Sequence, residues 1–150
     1  MKVLVSACLL GENCKYSGGN NLNPRVAEWL RETGCEAVPV CPEVLGGLPV
    51  PRTPAEIAGG VATARDGQNV DAAFRRGAAL ALEIARREGA ALAILQPRSP
   101  SCGVKEIYDG TFSGKRIPGM GVFARLLAEA GIRALEPEDL TGMPVPAGEK

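Results

Sequence analysis

The sequence predicts a small three-layer, Rossmann-like α/β domain, in which a mostly parallel sheet is flanked by helices. Short runs of β-branched residues alternate with amphipathic helical segments along the chain, and this order is typical of α/β folds. Glycines close the helical patterns. The 150 residues, 45% of them hydrophobic, suffice for one core. We therefore expect a single domain over residues 1–150.

The first half of the chain predicts a strand, a helix and a second strand. Residues 1–10 contain the apolar run Val-Leu-Val, typical of a buried strand. Asn23 followed by Pro24 is an N-cap signal, and Gly34 ends the helical pattern that follows. Residues 35–40 return to strand composition. This order implies a right-handed parallel crossover.

The second half repeats the alternation after a long irregular segment. Residues 41–67 carry several prolines and paired glycines, so we expect loop with a short hairpin. Residues 69–88 form the longest amphipathic pattern and predict a helix. A buried strand over 90–96, a last helix over 118–130 and a fourth strand over 132–135 complete the sheet.

Composition limits the partners and the compartment. Seventeen basic and seventeen acidic residues give no net charge, which disfavours a nucleic-acid partner. The chain shows neither a membrane-spanning apolar run nor a signal-peptide pattern, so we expect a cytoplasmic protein without a membrane partner. The proline-containing segment 137–150 predicts an extended or disordered tail.

The five cysteines separate into two groups once the strands are placed. Ligands bind at the carboxyl ends of parallel strands, and Cys8, Cys41 and Cys102 follow the first three strands there. Cys35 begins the second strand and lies at the opposite edge, roughly 20 Å away. Cys14, in a glycine-containing loop, is a candidate fourth thiol. The alternative is that these thiols pack only as small hydrophobic residues.

Three thiols in a chain without histidine suit a soft metal. Zinc and iron–sulfur clusters both accept thiolate ligands, and the spacing is not a CxxC pair, so the metal stays open at this point. A metal with fewer than its full set of protein ligands keeps a position for substrate or water. The cysteine count therefore favours a catalytic site over a closed structural one.

Four ordered motifs resemble the TudS-like thiouracil desulfurase family. They are SACLLGENCKYSGG at 6–19, CPEVLGGLPVPRTPAEI at 41–57, SPSCGVKEIYDGTF at 99–112 and PGMGVFARLL at 118–127. The sequence departs from the family pattern at Ser17, where an Asp is more common, and at Phe123, where a Thr is more common. The helical position of Phe123 predicts core packing.

The resemblance implies a [4Fe-4S] cluster held by Cys8, Cys41 and Cys102. The remaining iron would be free to take the sulfur of a thiolated pyrimidine, as the free base or its nucleoside. The implied reaction converts thiouracil to uracil and sulfide without net redox change. These three residues are also the ones that strand topology brings to one edge.

Desulfuration needs a proton carrier, and the absence of histidine directs attention to carboxylates. Glu43 lies two residues beyond Cys41 and is our candidate general acid/base; the alternative is a loop or helix-capping residue. Ser101 precedes Cys102 and is our candidate to offer a hydroxyl to the substrate carbonyl or the attacking water, with Ser99, two residues earlier, as a further substrate-binding candidate. The alternative is a turn serine bonded to its own backbone.

Further candidates for substrate binding line the same predicted edge. Ser6 shares a strand face with Cys8, and Gly47 and Gly103 allow backbone N–H groups to approach a ligand closely. Candidate stacking or charged partners are Tyr16, Tyr108, Arg52 and Lys105.

Two other classes of function fit the same residues. One is a non-enzymatic thiol module, in which the cysteines hold structural zinc or sense oxidants through a Cys8–Cys14 disulfide. The other is a sulfur-transfer protein, in which the cluster delivers sulfur to another molecule.

Overall fold

A computed structural model describes residues 1–140 and contains a four-stranded parallel sheet with two small hairpins. The strands are β1 Lys2–Ser6, β2 Glu36–Val40, β3 Ala55–Ala58, β4 Val61–Ala64, β5 Leu92–Ile94, β6 Glu106–Tyr108, β7 Arg116–Pro118 and β8 Arg133–Leu135. The helices are α1 Pro24–Thr33, α2 Pro42–Leu45, α3 Asp71–Glu88 and α4 Val122–Glu129. The parallel sheet has the order β2-β1-β5-β8.

Helices cover both faces of the sheet, which confirms the three-layer α/β prediction. Side chains alternate across β1, so Val3 and Val5 pack with Trp29 of α1 on one face. Leu4 points to the other face, where it belongs to the core formed with α3 and α4. Phe123 of α4 is fully buried there, as its helical position predicts.

The first crossover follows the sequence pattern closely. The Asn23 side chain accepts a hydrogen bond from the backbone N–H of Arg25 at 3.0 Å, and Gly34 ends α1 in the left-handed conformation. The predicted first strand is too long, however. β1 ends at Ser6, and residues 7–10 form a 3-10 turn that curls back over the sheet edge.

The proline-rich segment 41–67 contains the expected hairpin, β3–β4, and also a short helix that the sequence did not predict. This helix, α2, lies directly against α3. A Cβ atom on Gly77 would stand 1.7 Å from the carbonyl oxygen of Pro42, and one on Gly46 would stand 2.0 Å from that of Ala73. Arg76 also donates to the Gly46 carbonyl at 2.6 Å. Two glycines therefore let the backbones of α2 and α3 touch.

The C-terminal part corrects two predictions. The last helix begins at Val122 rather than at residue 118, because Arg116–Pro118 pairs with Glu106–Tyr108 as a second hairpin. Residues 137–140 form a 3-10 turn in which Pro137 and Leu140 are buried, so the predicted tail is wrong for these four residues. The rest of the predicted tail, 141–150, lies outside the described residues.

The strand order creates one topological switch point. From β1 the chain first crosses to β2 on one side and later returns to β5 on the other side. The loops that follow β1 and β5 therefore diverge at the carboxyl edge, and such a point is the usual ligand site of an open parallel sheet. Within residues 1–140 no helix combines the length and hydrophobicity needed to cross a bilayer.

Candidate active site

A cavity of about 440 Å³ opens at the carboxyl edge of the sheet, beside the switch point. Cys8, Cys14, Cys41 and Cys102 all line it. Cys35 does not: it is buried in the core that faces α1. The structure thus separates the cysteines in the way that strand topology predicts, and it brings Cys14 to the same side as the other three.

Each cysteine of the predicted trio is fixed by a different segment. Cys8 lies in the 3-10 turn after β1, and Cys41 is the N-cap residue of α2. Cys102 belongs to a turn that rests on the start of α4, where Phe123 and Ala124 donate their N–H groups to the carbonyl of Ser101 at 2.8 and 3.1 Å. The position of α2 against α3 therefore sets Cys41, and the start of α4 sets Cys102.

The thiols are held in a poorly solvated environment. Burial raises the pKa of Cys8, and the neighbouring Cys41 raises it further, while a hydrogen bond from Asn21 to the sulfur at 3.4 Å opposes the rise. Burial also raises the pKa of Cys14 to about 12 and strongly raises that of Cys102. These thiols are protonated at neutral pH unless a cation compensates their charge, so metal binding would release protons.

The thiols line one cavity without converging on a single metal position. Among residues 1–140, no three Cys, Asp or Glu side chains converge closely enough to bind one metal ion. A single zinc requires sulfurs about 2.3 Å from a common point, whereas a [4Fe-4S] cluster bonds each cysteine through a different iron. Three thiols that line one cavity without forming a single-ion site therefore suit a cluster.

Glu43 and Ser101, which the sequence singles out separately, meet at the cavity wall. The Ser101 hydroxyl donates to Oε2 of Glu43 at 2.5 Å, and Nε of Arg52 donates to Oε1 at 3.0 Å. The Glu43 side chain is 14% exposed, and Ser101 is 1% exposed. Glu43 stands in the first turn of α2, as the helix alternative has it, but its carboxylate bonds Arg52 and Ser101 rather than the helix backbone.

Ser99 and Ser6 line the cavity, but their oxygens already accept backbone hydrogen bonds. Oγ of Ser99 accepts from the N–H groups of Ser101 and Cys102 at 3.2 and 3.0 Å. Oγ of Ser6 accepts from the N–H of Gln96 at 3.0 Å. Ser99 is therefore the turn serine that the sequence left as an alternative for Ser101.

The structure does not place Gly47, Gly103 or Lys105 against this cavity. The N–H of Gly47 donates to Val44, and that of Gly103 donates to Ser99, so neither is available to a ligand in the way the sequence suggested. Lys105 pairs instead with Asp139 at 2.7 Å and with Glu138 at 3.1 Å. The other candidates, Tyr16, Tyr108 and Arg52, do line the cavity.

Several lining residues were missed at the sequence level. Asn21 bonds the Cys8 sulfur, while Glu56, Arg65 and Phe112 form a wall contributed by the β3–β4 hairpin and the loop between β6 and β7. Glu56 lies in the second motif and Phe112 ends the third, but neither motif shows that the two meet. Glu56 and Phe112 are 56 positions apart in the chain, and no local pattern reveals such a contact.

Taken together, the fold and the cavity define a class: a small α/β domain with a cysteine-lined ligand site and a carboxylate–hydroxyl pair at its switch point. The family model for 2-thiouracil desulfurase matches residues 3–139. The chain therefore belongs to the 2-thiouracil desulfurase family, whose reaction removes sulfur from thiouracil. This confirms the resemblance seen in the motifs.

Two relatives cover nearly the whole chain. An uncharacterized Bacillus subtilis (strain 168) protein, YbbK, is 42% identical over 148 residues, which is 92% of this chain and 97% of YbbK. The solved structure of the [4Fe-4S]-dependent thiouracil desulfidase TudS is 40% identical, with a TM-score of 0.87 over 94% of this chain and 93% of that chain. The structural agreement confirms the predicted fold class.

Proposed function

We propose that Cys8, Cys41 and Cys102 hold a [4Fe-4S] cluster, and that the protein uses it to convert a thiolated pyrimidine and water into the oxo-pyrimidine and sulfide. The substrate is the free base or its nucleoside. The observation that carries the proposal is the meeting of three thiols and the Glu43–Ser101 pair on one cavity. The cluster dependence of TudS, 40% identical to this chain, supports it.

Cys8, Cys41 and Cys102 would hold three irons of the cluster, so one iron would have no ligand from this trio. When bound, the cluster supplies a Lewis-acidic iron that draws electron density from the substrate sulfur. Cys102 and Ser101 lie in the buried part of the cavity wall, where electrostatic interactions are stronger than in bulk water. The remaining task of the chain is to deliver one water molecule and to move its protons.

Glu43 is placed to move these protons. Arg52 occupies Oε1, so Oε2 and the Ser101 hydroxyl face each other as a short donor–acceptor pair. In the proposed step, water forms the new C–O bond at the ring carbon while Glu43 takes one of its protons. The C–S bond breaks, and the protons pass to the leaving sulfide, so that no electrons are gained or lost.

The proposal also covers the cellular compartment and the role of Cys14. The five cysteines are free, which suits a reducing cytoplasm, and we place the protein there as a single domain. Cys14 shares the cavity, and its carbonyl accepts from Arg52 at 2.9 Å. The Cys14 thiol is therefore an extra thiol at the cavity, outside the proposed set of three cluster ligands.

Anaerobic reconstitution tests the ligand assignment. We expect about four irons and four labile sulfides per chain, and release of sulfide from thiouracil. Cys8→Ser, Cys41→Ser and Cys102→Ser should each lose the cluster and the activity, whereas the matched control Cys35→Ser should keep both. Full iron content in any of the first three variants would contradict the assignment, and zinc as the sole bound metal would favour the structural-zinc alternative.

A second variant tests the proton carrier. Glu43→Gln preserves the shape of the side chain but cannot accept a proton, so we expect sulfide release to fall by roughly 100-fold or more with the cluster retained. Iron content and visible absorbance report on the cluster, and a sulfide assay reports on turnover. An unchanged rate would remove Glu43 from the mechanism.

A further inference from the structure

Phe112 has an unusual backbone for a bulky residue. Its φ is 57°, in the left-handed region that side chains other than Gly, Asn and Asp rarely adopt. The ring is half-buried and lines the cavity. A strained conformation at a ligand site persists only when the surrounding structure enforces it, and it is a reason to look for a function.

The structure enforces this conformation from the β3–β4 hairpin. Oε1 of Glu56 accepts hydrogen bonds from the backbone N–H groups of both Gly110 and Phe112, each at 3.0 Å. Gly110 packs so tightly against β3 that a Cβ atom there would stand 2.8 Å from the carbonyl oxygen of Ile57. The loop is therefore fixed at Gly110 and at Phe112 itself.

One side of the Phe112 ring is already occupied. The guanidinium carbon of Arg65 lies 5.4 Å from the ring centroid, within the range of a cation–π contact. Arg65 also lines the cavity. By contrast, Tyr16, another lining aromatic residue, is 49% exposed. Tyr108, the third aromatic residue that lines the cavity, is half-buried and belongs to strand β6. Phe112 is the ring whose backbone is held by a side chain of another element.

We propose that Phe112 is the stacking platform for the pyrimidine ring, and that Glu56 is a positioning residue that holds this platform against the cavity. The proposal rests on the proposed function, since it assigns a wall of the same site to the planar substrate. Aromatic rings bind nucleobases face to face, and this contact is insensitive to the substituents of the base. Phe112 would thus hold substrate and product similarly and would set KM rather than kcat.

The test uses the cluster-loaded protein and two readouts: thiouracil kinetics and the affinity for uracil, measured by calorimetry. Phe112→Leu should raise KM and weaken uracil binding by roughly 5- to 100-fold, with kcat changed less than about threefold and the iron content unchanged. Phe112→Trp, which keeps an aromatic face, should retain KM within about threefold. Ser113→Ala, in the same loop, is the control and should leave both constants unchanged.

Phe112→Gly separates the ring from the backbone. Glycine adopts φ 57° without strain, so this variant should melt no lower than the Leu variant and yet bind uracil at least as weakly. If Phe112→Gly or Phe112→Leu binds uracil like the unmodified protein, the stacking proposal is wrong. The same holds if Phe112→Trp binds as weakly as Leu.

Glu56 is tested by a matched pair. Glu56→Gln keeps a side-chain oxygen that accepts both N–H groups and should retain KM, whereas Glu56→Ala removes the acceptor and should raise KM. Equal KM values for the two variants would overturn the positioning role. These outcomes are distinct from a failure of the proposed function, which would appear as loss of cluster or of sulfide release in the unmodified protein.

Discussion

Arg52 shows how one side chain organises the candidate site. Its guanidinium donates to the Glu43 carboxylate, to the Pro49 carbonyl at 3.1 Å and to the Cys14 carbonyl at 2.9 Å. The side chain is only 7% exposed. An arginine binds three acceptors at once because its guanidinium is planar and carries five donors. Arg52 therefore fixes the carboxylate relative to the Cys14 loop.

Replacing Arg52 should cost both stability and rate. Arg52→Met leaves the mostly buried Glu43 carboxylate without its cation, so we expect a loss of about 3 kcal/mol in the free energy of unfolding. A displaced carboxylate should also slow sulfide release by roughly a hundredfold. Urea denaturation and a sulfide assay measure the two effects.

A matched control is available on the surface. Arg75 pairs with Asp71 in a similar way, but its side chain is 61% exposed, so Arg75→Met should cost about 0.5 kcal/mol or less. If both variants lost the same small free energy, Arg52 would be an ordinary surface ion pair.

The sequence predicted the candidate reactive residues but not the side chains that form hydrogen bonds around them. Cys8, Cys41 and Cys102 follow strands of the parallel sheet, and Glu43 lies two residues beyond Cys41, so topology alone predicts that they share one edge. Asn21 reaches Cys8 across 13 positions and Arg52 reaches Cys14 across 38. Contacts at such separations depend on loop paths that leave no periodic signal.

The contact between α2 and α3 is the element-scale feature on which the site depends. α2 has four residues, too few to be stable alone, and carries Glu43 directly after Cys41. It is held because Gly46 and Gly77 permit backbone contact with α3. The small size of these two positions is thus a requirement of the active site as well as of the core.

Gly77→Ala should therefore destabilise the protein. In an isolated helix this change is favourable by about 1 kcal/mol. Here the added Cβ would meet the Pro42 carbonyl oxygen, so we expect a net loss of about 1–3 kcal/mol and lower sulfide release. Denaturant midpoints and rates test this expectation.

Leu80→Ala serves as the comparison, because Leu80 is a half-exposed side chain on the same helix and its loss should be nearly neutral. Equal or greater stability of Gly77→Ala relative to the unmodified protein would show that α2 can move away without penalty.

Helices were predictable where the amphipathic pattern was long or where the capping residues lay next to it in the sequence. The Asn23 cap, the Gly34 stop and the long helix before Gly89 all follow from the sequence. α2 escaped prediction because four residues carry no period. The start of α4 was misplaced because residues 116–118 gain more from pairing with β6 than from extending a helix.

At the scale of the whole molecule, the proposed ligands join three distant parts of the chain. Cys8 follows β1, Cys41 follows β2, and Cys102 follows β5. These strands are neighbours in the sheet although α1 and α3 separate them in sequence. A group bound to all three would therefore stabilise the arrangement of the sheet as a whole.

Cluster loading should raise the melting temperature. A ligand that binds only the folded state shifts unfolding by mass action, and we expect an increase of roughly 5 °C or more between cluster-free and cluster-loaded protein. Anaerobic calorimetry measures the two forms. The increase should vanish in Cys102→Ser and persist in Cys35→Ser; an equal melting temperature with and without the cluster would argue against binding by three separate loops.

The order of the strands also fixes when the metal centre can be completed during synthesis. Among the proposed ligands, Cys8 and Cys41 are synthesised with the first two strands, but Cys102 is synthesised only after α3 and β5. A nascent chain therefore has two of the three proposed ligands, Cys8 and Cys41, before Cys102 is added. A cluster held by the three proposed ligands would accordingly be completed only after translation has passed β5 and reached Cys102.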